Sequence, residues 1–167
     1  QIIIKITADN DYLFISVEDN GKGMSENLLR EVADPFVTTR TTRKVGLGIP
    51  LLKEACELAG GGIKIDSKQG EGTKIECKML ISSIDRLPLG DIGSTFMNLA
   101  MSGPDTDYTI TMNNNFDEYT LSFTEIRKLL DGVPVSDINI ACWIRDNIEE
   151  GKNKIFGGIL NEIIGST

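Results

Sequence analysis

Asp19 closes an alternating apolar segment and is followed by Asn20-Gly21-Lys22-Gly23. A carboxylate is thereby delivered into a turn whose glycines can take positive backbone angles and admit a flat ligand closely. An ionised carboxylate only accepts hydrogen bonds, which suits an exocyclic amine such as that of adenine. Asn20-Gly21 is equally a strong type I′ hairpin signal; a strand should then follow, whereas Ser25 to Val32 has helical spacing. A second group, Gly46-Leu47-Gly48, stands directly before a helix with Pro50 in its first turn. Glycine amides and the positive end of a helix can hold phosphate oxygens there. Arg40, Arg43 and Lys44 lie just upstream and, taken alone, read as a solvated basic run. Gly70-Glu71-Gly72-Thr73, taken alone, reads as a hairpin turn.

These groups need elements to place them. Ile2 to Thr7, and Leu13, Ile15 and Val17 alternating with polar neighbours, predict two strands joined at Asn10-Asp11. Ser25 is a candidate N-cap for a helix that should stop before Pro35, and Phe36 to Val45 lacks any period and reads as a loop. Leu51, Leu52, Ala55, Cys56 and Ala59 give the clearest helical face in the chain. Ile63 and Ile65, then Thr73 to Ile81, predict a hairpin turning at Gly70-Glu71-Gly72. The pattern suits a sheet covered on one face by helices. At Asp85 to Gly90 the alternation gives way to a Pro/Gly linker, so a boundary is placed there, with domains at 1–85 and 86–167. Beyond it we expect a helix over Ile92 to Met101, a hairpin around Asn113-Asn114-Asn115, and a helix capped by Thr124. A further helix should carry Ile140, Trp143, Ile144 and Ile148 into a core, and an apolar tail from Ile155 to Ile164 could form another.

Composition narrows the function. The 167 residues, 40% hydrophobic and 25% charged, describe an ordinary globular chain. A net charge of -8 repels nucleic acid, so an anion site must create its own local positive potential. No histidine is present, which removes a histidine base, metal ligand or phospho-acceptor. Cys56, Cys77 and Cys142 show no Cys-x-x-Cys spacing and read as core thiols. No apolar run approaches the roughly 18 residues of a membrane span, and the expected compartment is the cytoplasm. Gln1 already lies inside an apolar run, and a natural N-terminus upstream is expected.

In chain order, Asp19-x-Gly21-x-Gly23, Asp34-Pro35-Phe36, Gly46-Leu47-Gly48-Ile49 and Gly70-x-Gly72-Thr73 resemble the Bergerat-fold ATPases. That family includes histidine kinases, DNA gyrase, heat-shock chaperone ATPases and mismatch-repair ATPases. The resemblance covers about residues 1 to 82 and implies an α+β fold. A two-layer α/β sandwich of the Bergerat type would be followed by a small α+β C-terminal domain. It implies ATP as ligand, with Asp19 on the adenine amine, Gly21 and Gly23 shaping the pocket, and Thr73 supporting the base directly or through water. Phe36 would anchor an ATP lid. Gly46, Leu47 and Gly48 would lie at the phosphates, and Arg40, Arg43 or Lys44 would reach the γ-phosphate. Lys44-Val45 replaces a further glycine usual in the family. The family places a helix before the first strand, bearing an asparagine that coordinates Mg²⁺ and, in some members, an acidic general base. The chain begins after that helix should have ended, so the metal ligand is expected upstream. As it stands the chain should bind ATP weakly or not at all and be inactive.

The resulting reading is an ATP-binding regulatory protein, an ATPase or protein kinase, that transfers or hydrolyses the γ-phosphate when complete. The alternative is a non-catalytic binding or assembly module whose nucleotide site is structural or lost. The runs Thr38 to Gly48 and Asp85-Arg86-Leu87-Pro88-Leu89-Gly90-Asp91 also resemble small ATP-binding proteins of anaerobic bacteria encoded beside iron-only hydrogenase and NADH-dehydrogenase-like subunits. That resemblance implies a protein partner, with hydrogenase or NADH-dehydrogenase-like subunits as candidates, and no nucleic acid or membrane.

Overall fold

A computed structural model describes residues 1–32, 48–103 and 105–157. The alternating segments form strands β1 (Ile2–Asp9), β2 (Tyr12–Asp19), β3 (Gly62–Lys68), β4 (Gly72–Leu80), β5 (Tyr108–Asn113) and β6 (Glu118–Ser122). They make one six-stranded sheet in the order β3-β4-β2-β1-β5-β6. All neighbours are antiparallel except β1 and β5, which run parallel.

Register explains why one face is apolar. Ile63, Cys77, Ile15, Ile6, Met112 and Tyr119 lie in one row across all six strands. The next row is Lys64, Glu76, Ser16, Lys5, Thr111 and Thr120. Because successive side chains point to opposite faces, the first row faces the core and the second faces water. On the polar face Tyr12 and Phe14 are the aromatic members, and the Lys78 ammonium sits 3.7 Å from the Tyr12 ring centre.

The helices are α1 (Glu26–Glu31), α2 (Gly48–Leu58), α3 (Ile92–Ser102), α4 (Phe123–Leu129) and α5 (Ile138–Phe156). The buried side chains of α2, α3, α4 and α5 join those of the sheet in a single core, and the fold is α+β as expected. Phe96, Tyr108 and Phe123 meet edge to face at its centre, with ring centres 5.3–6.3 Å apart.

The segment after the linker adds strands to the same sheet. β5 takes the free edge of β1, and Ile110 beside Ile4 is fully buried. The linker is clamped to the body. Arg86, 4% exposed, donates from Nε to the Ile81 carbonyl and from a terminal nitrogen to the Leu87 carbonyl. Buried Lys152 donates to the Gly90 carbonyl and pairs with Glu149, and Asp91 caps α3 by accepting from the Ser94 amide.

Several local expectations are corrected. Trp143 is 51% exposed and does not enter the core. Ala141, Ile144, Ile148 and Ile155 form the buried stripe of α5, and Trp143 stands about 100° of helical rotation away from Ile144. α4 opens at Phe123 with Ser122 at the cap position, because Ser122 is still paired with Thr109 of β5. Ile155 and Phe156 end α5, which Gly157 terminates in the left-handed conformation. They do not open a separate helix, and the rest of the expected tail helix lies outside the described residues. Cys56 and Cys77 are buried as expected, and Cys142 is half-buried. Among the described residues no helix is long and apolar enough to cross a membrane.

Ile110→Ala should cost about 2–5 kcal/mol in denaturant unfolding, and the transition should stay single because β5 shares its core with β1. Alkaline pH should also destabilise the protein. Burial pushes Cys77 up from an ordinary 9.0 to about 12 and Tyr119 from 10.0 to about 12, and Cys56 moves in the same direction. The folded state therefore holds these protons more tightly than the unfolded state. Their contribution is fully present below pH 9 and is lost as pH rises toward about 12, which melting temperatures across that range would register.

Candidate functional site

The strand pairings bring the predicted residues together at one end of the sheet. Asp19, the last residue of β2, lies opposite Thr73 on β4, and Thr73 lies opposite Ser67 on β3. The three are in one row on the helix-covered face. They line a cleft of about 370 Å³ with Glu18, Leu29, Asp66, Lys68, Glu71, Gly72 and Lys74.

One oxygen of the Asp19 carboxylate accepts from the Gly21 amide at 2.8 Å. The other takes no hydrogen bond from any described residue, so an acceptor remains for a ligand in the cleft. The turn after Asp19 is pressed against the β3–β4 hairpin. The Gly70 amide donates to the Lys22 carbonyl at 2.7 Å, and the Met24 amide donates to Ser67 Oγ at 2.9 Å. Two glycines make this approach possible. A Cβ on Gly23, whose φ is +61°, would stand 1.9 Å from the Lys68 carbonyl oxygen. One on Gly72, at φ +124°, would stand 2.0 Å from the Asp19 carbonyl oxygen. Gly23 was expected to shape the pocket, and here its closest neighbour is backbone of the facing hairpin.

Ser67 is a site residue that the motifs do not include. Its hydroxyl donates to the Gly72 carbonyl at 2.9 Å, accepts from Met24, and lies 2.9 Å from Thr73 Oγ1. It thus joins the turn, the hairpin and the cleft wall. A signal is present in the chain, since the core-facing positions of β3 run Ile63, Ile65, Ser67, and a polar residue where an apolar one is due marks a site.

The lining holds four carboxylates, on Glu18, Asp19, Asp66 and Glu71, against two ammonium groups, on Lys68 and Lys74. Both cations are engaged, Lys68 with Glu71 and Lys74 with Glu76 at 2.7 Å. A cleft of this charge suits a neutral group carrying N–H donors and disfavours phosphate. An element of the opposite polarity lies elsewhere. Gly48 opens α2, whose first turn carries no acidic side chain to cancel the positive helix end, and among the described residues no atom crowds the space where a Gly48 Cβ would be. The helix is fixed on the sheet by its packing on β3 and β4, with the Gly61 amide donating to the Cys56 carbonyl and the Leu80 amide to the Ala59 carbonyl. Phe36, Arg40, Arg43, Lys44, Gly46 and Leu47 lie outside the described residues. Among the described residues no three acidic or cysteine side chains converge to hold a metal ion.

Residues 1–82 match the family model described as "Histidine kinase-, DNA gyrase B-, and HSP90-like ATPase". The first half of the chain is a histidine-kinase-like ATPase domain. Sensor kinases share its sequence. Sporulation kinase E of Bacillus subtilis is 38% identical over 73 residues, covering 43% of this chain and 10% of that protein. Sensor histidine kinase WalK of the same organism is 38% identical over 77 residues, covering 43% and 13%. Autoinducer 2 sensor kinase/phosphatase LuxQ of Vibrio parahaemolyticus is 29% identical over 85 residues, covering 48% and 10%. The chain thus spans only 10–13% of the length of these relatives.

Gly72→Ala should be far more damaging than Gly70→Ala. Both positions have positive φ and carry its strain of about 1–2 kcal/mol, but Gly70 has open space around it while Gly72 abuts the Asp19 backbone. Chemical denaturation of the two variants should show the Gly72 change costing at least about 2 kcal/mol more.

Proposed function

We propose that the ATPase domain binds ATP with its adenine ring in the cleft lined by Asp19 and Thr73. In the complete protein it would transfer or hydrolyse the γ-phosphate and serve a regulatory role. The observation that carries this reading is the Asp19 carboxylate, held by the Gly21 amide through one oxygen with the other open to the cleft. Adenine offers an amine to that oxygen, and the acidic lining makes the base, not the triphosphate, the part that belongs there. The triphosphate would extend toward the start of α2 at Gly48. Gly46, Leu47 and one of Arg40, Arg43 or Lys44 would meet it, and Phe36 would anchor the lid.

Mg²⁺ would arrive with the phosphates, and by the family resemblance its protein ligand would stand on a helix N-terminal to β1. Positioning and charge stabilisation are the means by which such sites move a phosphoryl group. With no histidine in the chain, the acceptor would be water or a side chain of a partner protein. Hydrogenase or NADH-dehydrogenase-like subunits are the proposed partner class, on the resemblance of the Thr38 to Gly48 and Asp85 to Asp91 runs.

Calorimetry of the full-length protein with Mg-ATP tests the reading. Asp19→Asn presents an amide donor to the adenine amine in place of an acceptor and should weaken binding by about 1–3 kcal/mol, close to 5- to 150-fold. Absence of Mg-ATP binding by the unmutated full-length protein would refute the proposal. Equal affinity in the Asp19→Asn variant would remove Asp19 from the site.

A further inference from the structure

We propose that Ser67 sets the base specificity of the ATP site by fixing which way the Thr73 hydroxyl points its proton. The inference rests on the ATP-binding reading above and adds the residue that decides between 6-amino and 6-oxo purines.

A serine hydroxyl has one proton and two lone pairs. Ser67 directs its proton to the Gly72 carbonyl at 2.9 Å and gives one lone pair to the Met24 amide at 2.9 Å. A single lone pair is left for Thr73 Oγ1, also at 2.9 Å. In that contact Thr73 is therefore the donor. Its own proton is spent on Ser67, and only lone pairs remain for the cleft. Asp19, opposite Thr73 in the β2–β4 pairing, offers a carboxylate oxygen and likewise no proton.

Two acceptors thus stand side by side on the cleft wall. A 6-amino purine carries two N–H groups at that position and can satisfy both. A 6-oxo purine places oxygen lone pairs against them, and a buried polar group left facing its like discriminates strongly. Ser67 touches no ligand in this scheme and acts through Thr73. Its three hydrogen bonds are made with the turn and the hairpin, so the proton assignment is built into the fold before any nucleotide arrives.

The test compares affinities for ATP and inosine triphosphate, measured by calorimetry on the full-length protein. The ratio of the two cancels any uniform weakening from a loosened fold. The unmutated protein should prefer ATP by at least about tenfold. In Ser67→Ala the Thr73 hydroxyl loses its fixed acceptor and can rotate to donate to the 6-oxo group, so the preference should narrow by about fivefold or more. Ser67→Thr, which keeps a hydroxyl, should retain the original ratio. If Ser67→Ala fails to fold, Ser67→Cys replaces it, since a thiol accepts only weakly and should narrow the ratio in the same direction.

A ratio unchanged in Ser67→Ala, including the case where both affinities fall together, overturns the proposal and leaves Ser67 a structural residue. Equal binding of both nucleotides by the unmutated protein overturns it too, with the ATP site intact. Binding of neither refutes the ATP site itself.

Discussion

The pairing of β2 with β4 is the constraint on which the rest depends. These are the middle two of the four strands contributed by residues 1–80, and their register sets Asp19 opposite Thr73 and Ile15 opposite Cys77. Side chains alternate between faces, so a slip of one residue would turn Asp19 and Thr73 away from each other and send the charged row Glu76, Lys78 into the core. Burial of the apolar row therefore enforces the geometry of the cleft. The same pairing positions Gly72 against the Asp19 backbone, where only a residue without a Cβ fits. Site and core share one specification.

The strands are legible because alternation survives in each of them, from Ile2 onward to Thr73–Ile81. The glycines and Asp19 are legible as chemistry because their residue types are unusual at a strand end. Ser67 is harder to see because a small polar residue is common near a turn, and its importance comes from partners on two separate segments, Met24 and Gly72-Thr73. Trp143 misleads in the opposite direction. Its bulk and apolar ring argue for burial, whereas the stripe chosen by Ala141, Ile144 and Ile148 excludes it, and helix phase outranks residue type. The attachment of β5 to β1 could not be read from either segment, since parallel pairing across most of the chain leaves no local signal.

Charge divides the labour within the ATPase domain. A chain of net charge -8 cannot offer phosphate a welcoming surface at large. The cleft under Asp19 keeps this acidic character and suits it to N–H donors, while the uncancelled start of α2 supplies the opposite polarity in a separate place. A ligand with a neutral aromatic end and an anionic end fits that separation. The clamp of Arg86, Lys152 and Glu149 around the linker shows ionic groups used differently, as fixed struts whose backbone partners fasten residues 81–93 to the body.

The parallel union of β1 with β5 has a consequence for the order of synthesis. β1 is among the first segments of this stretch to be made, yet its partner at Tyr108–Asn113 follows roughly a hundred residues later, about 5–20 s at ordinary translation rates. Through that interval the outer edge of an isoleucine-rich strand lacks the partner it has in the described structure, and such edges recruit other chains. The later half of the protein thus acts toward the ATPase domain as a built-in edge cover. A cell that shortened the chain after the linker would inherit the cleft together with an adhesive flank beside it.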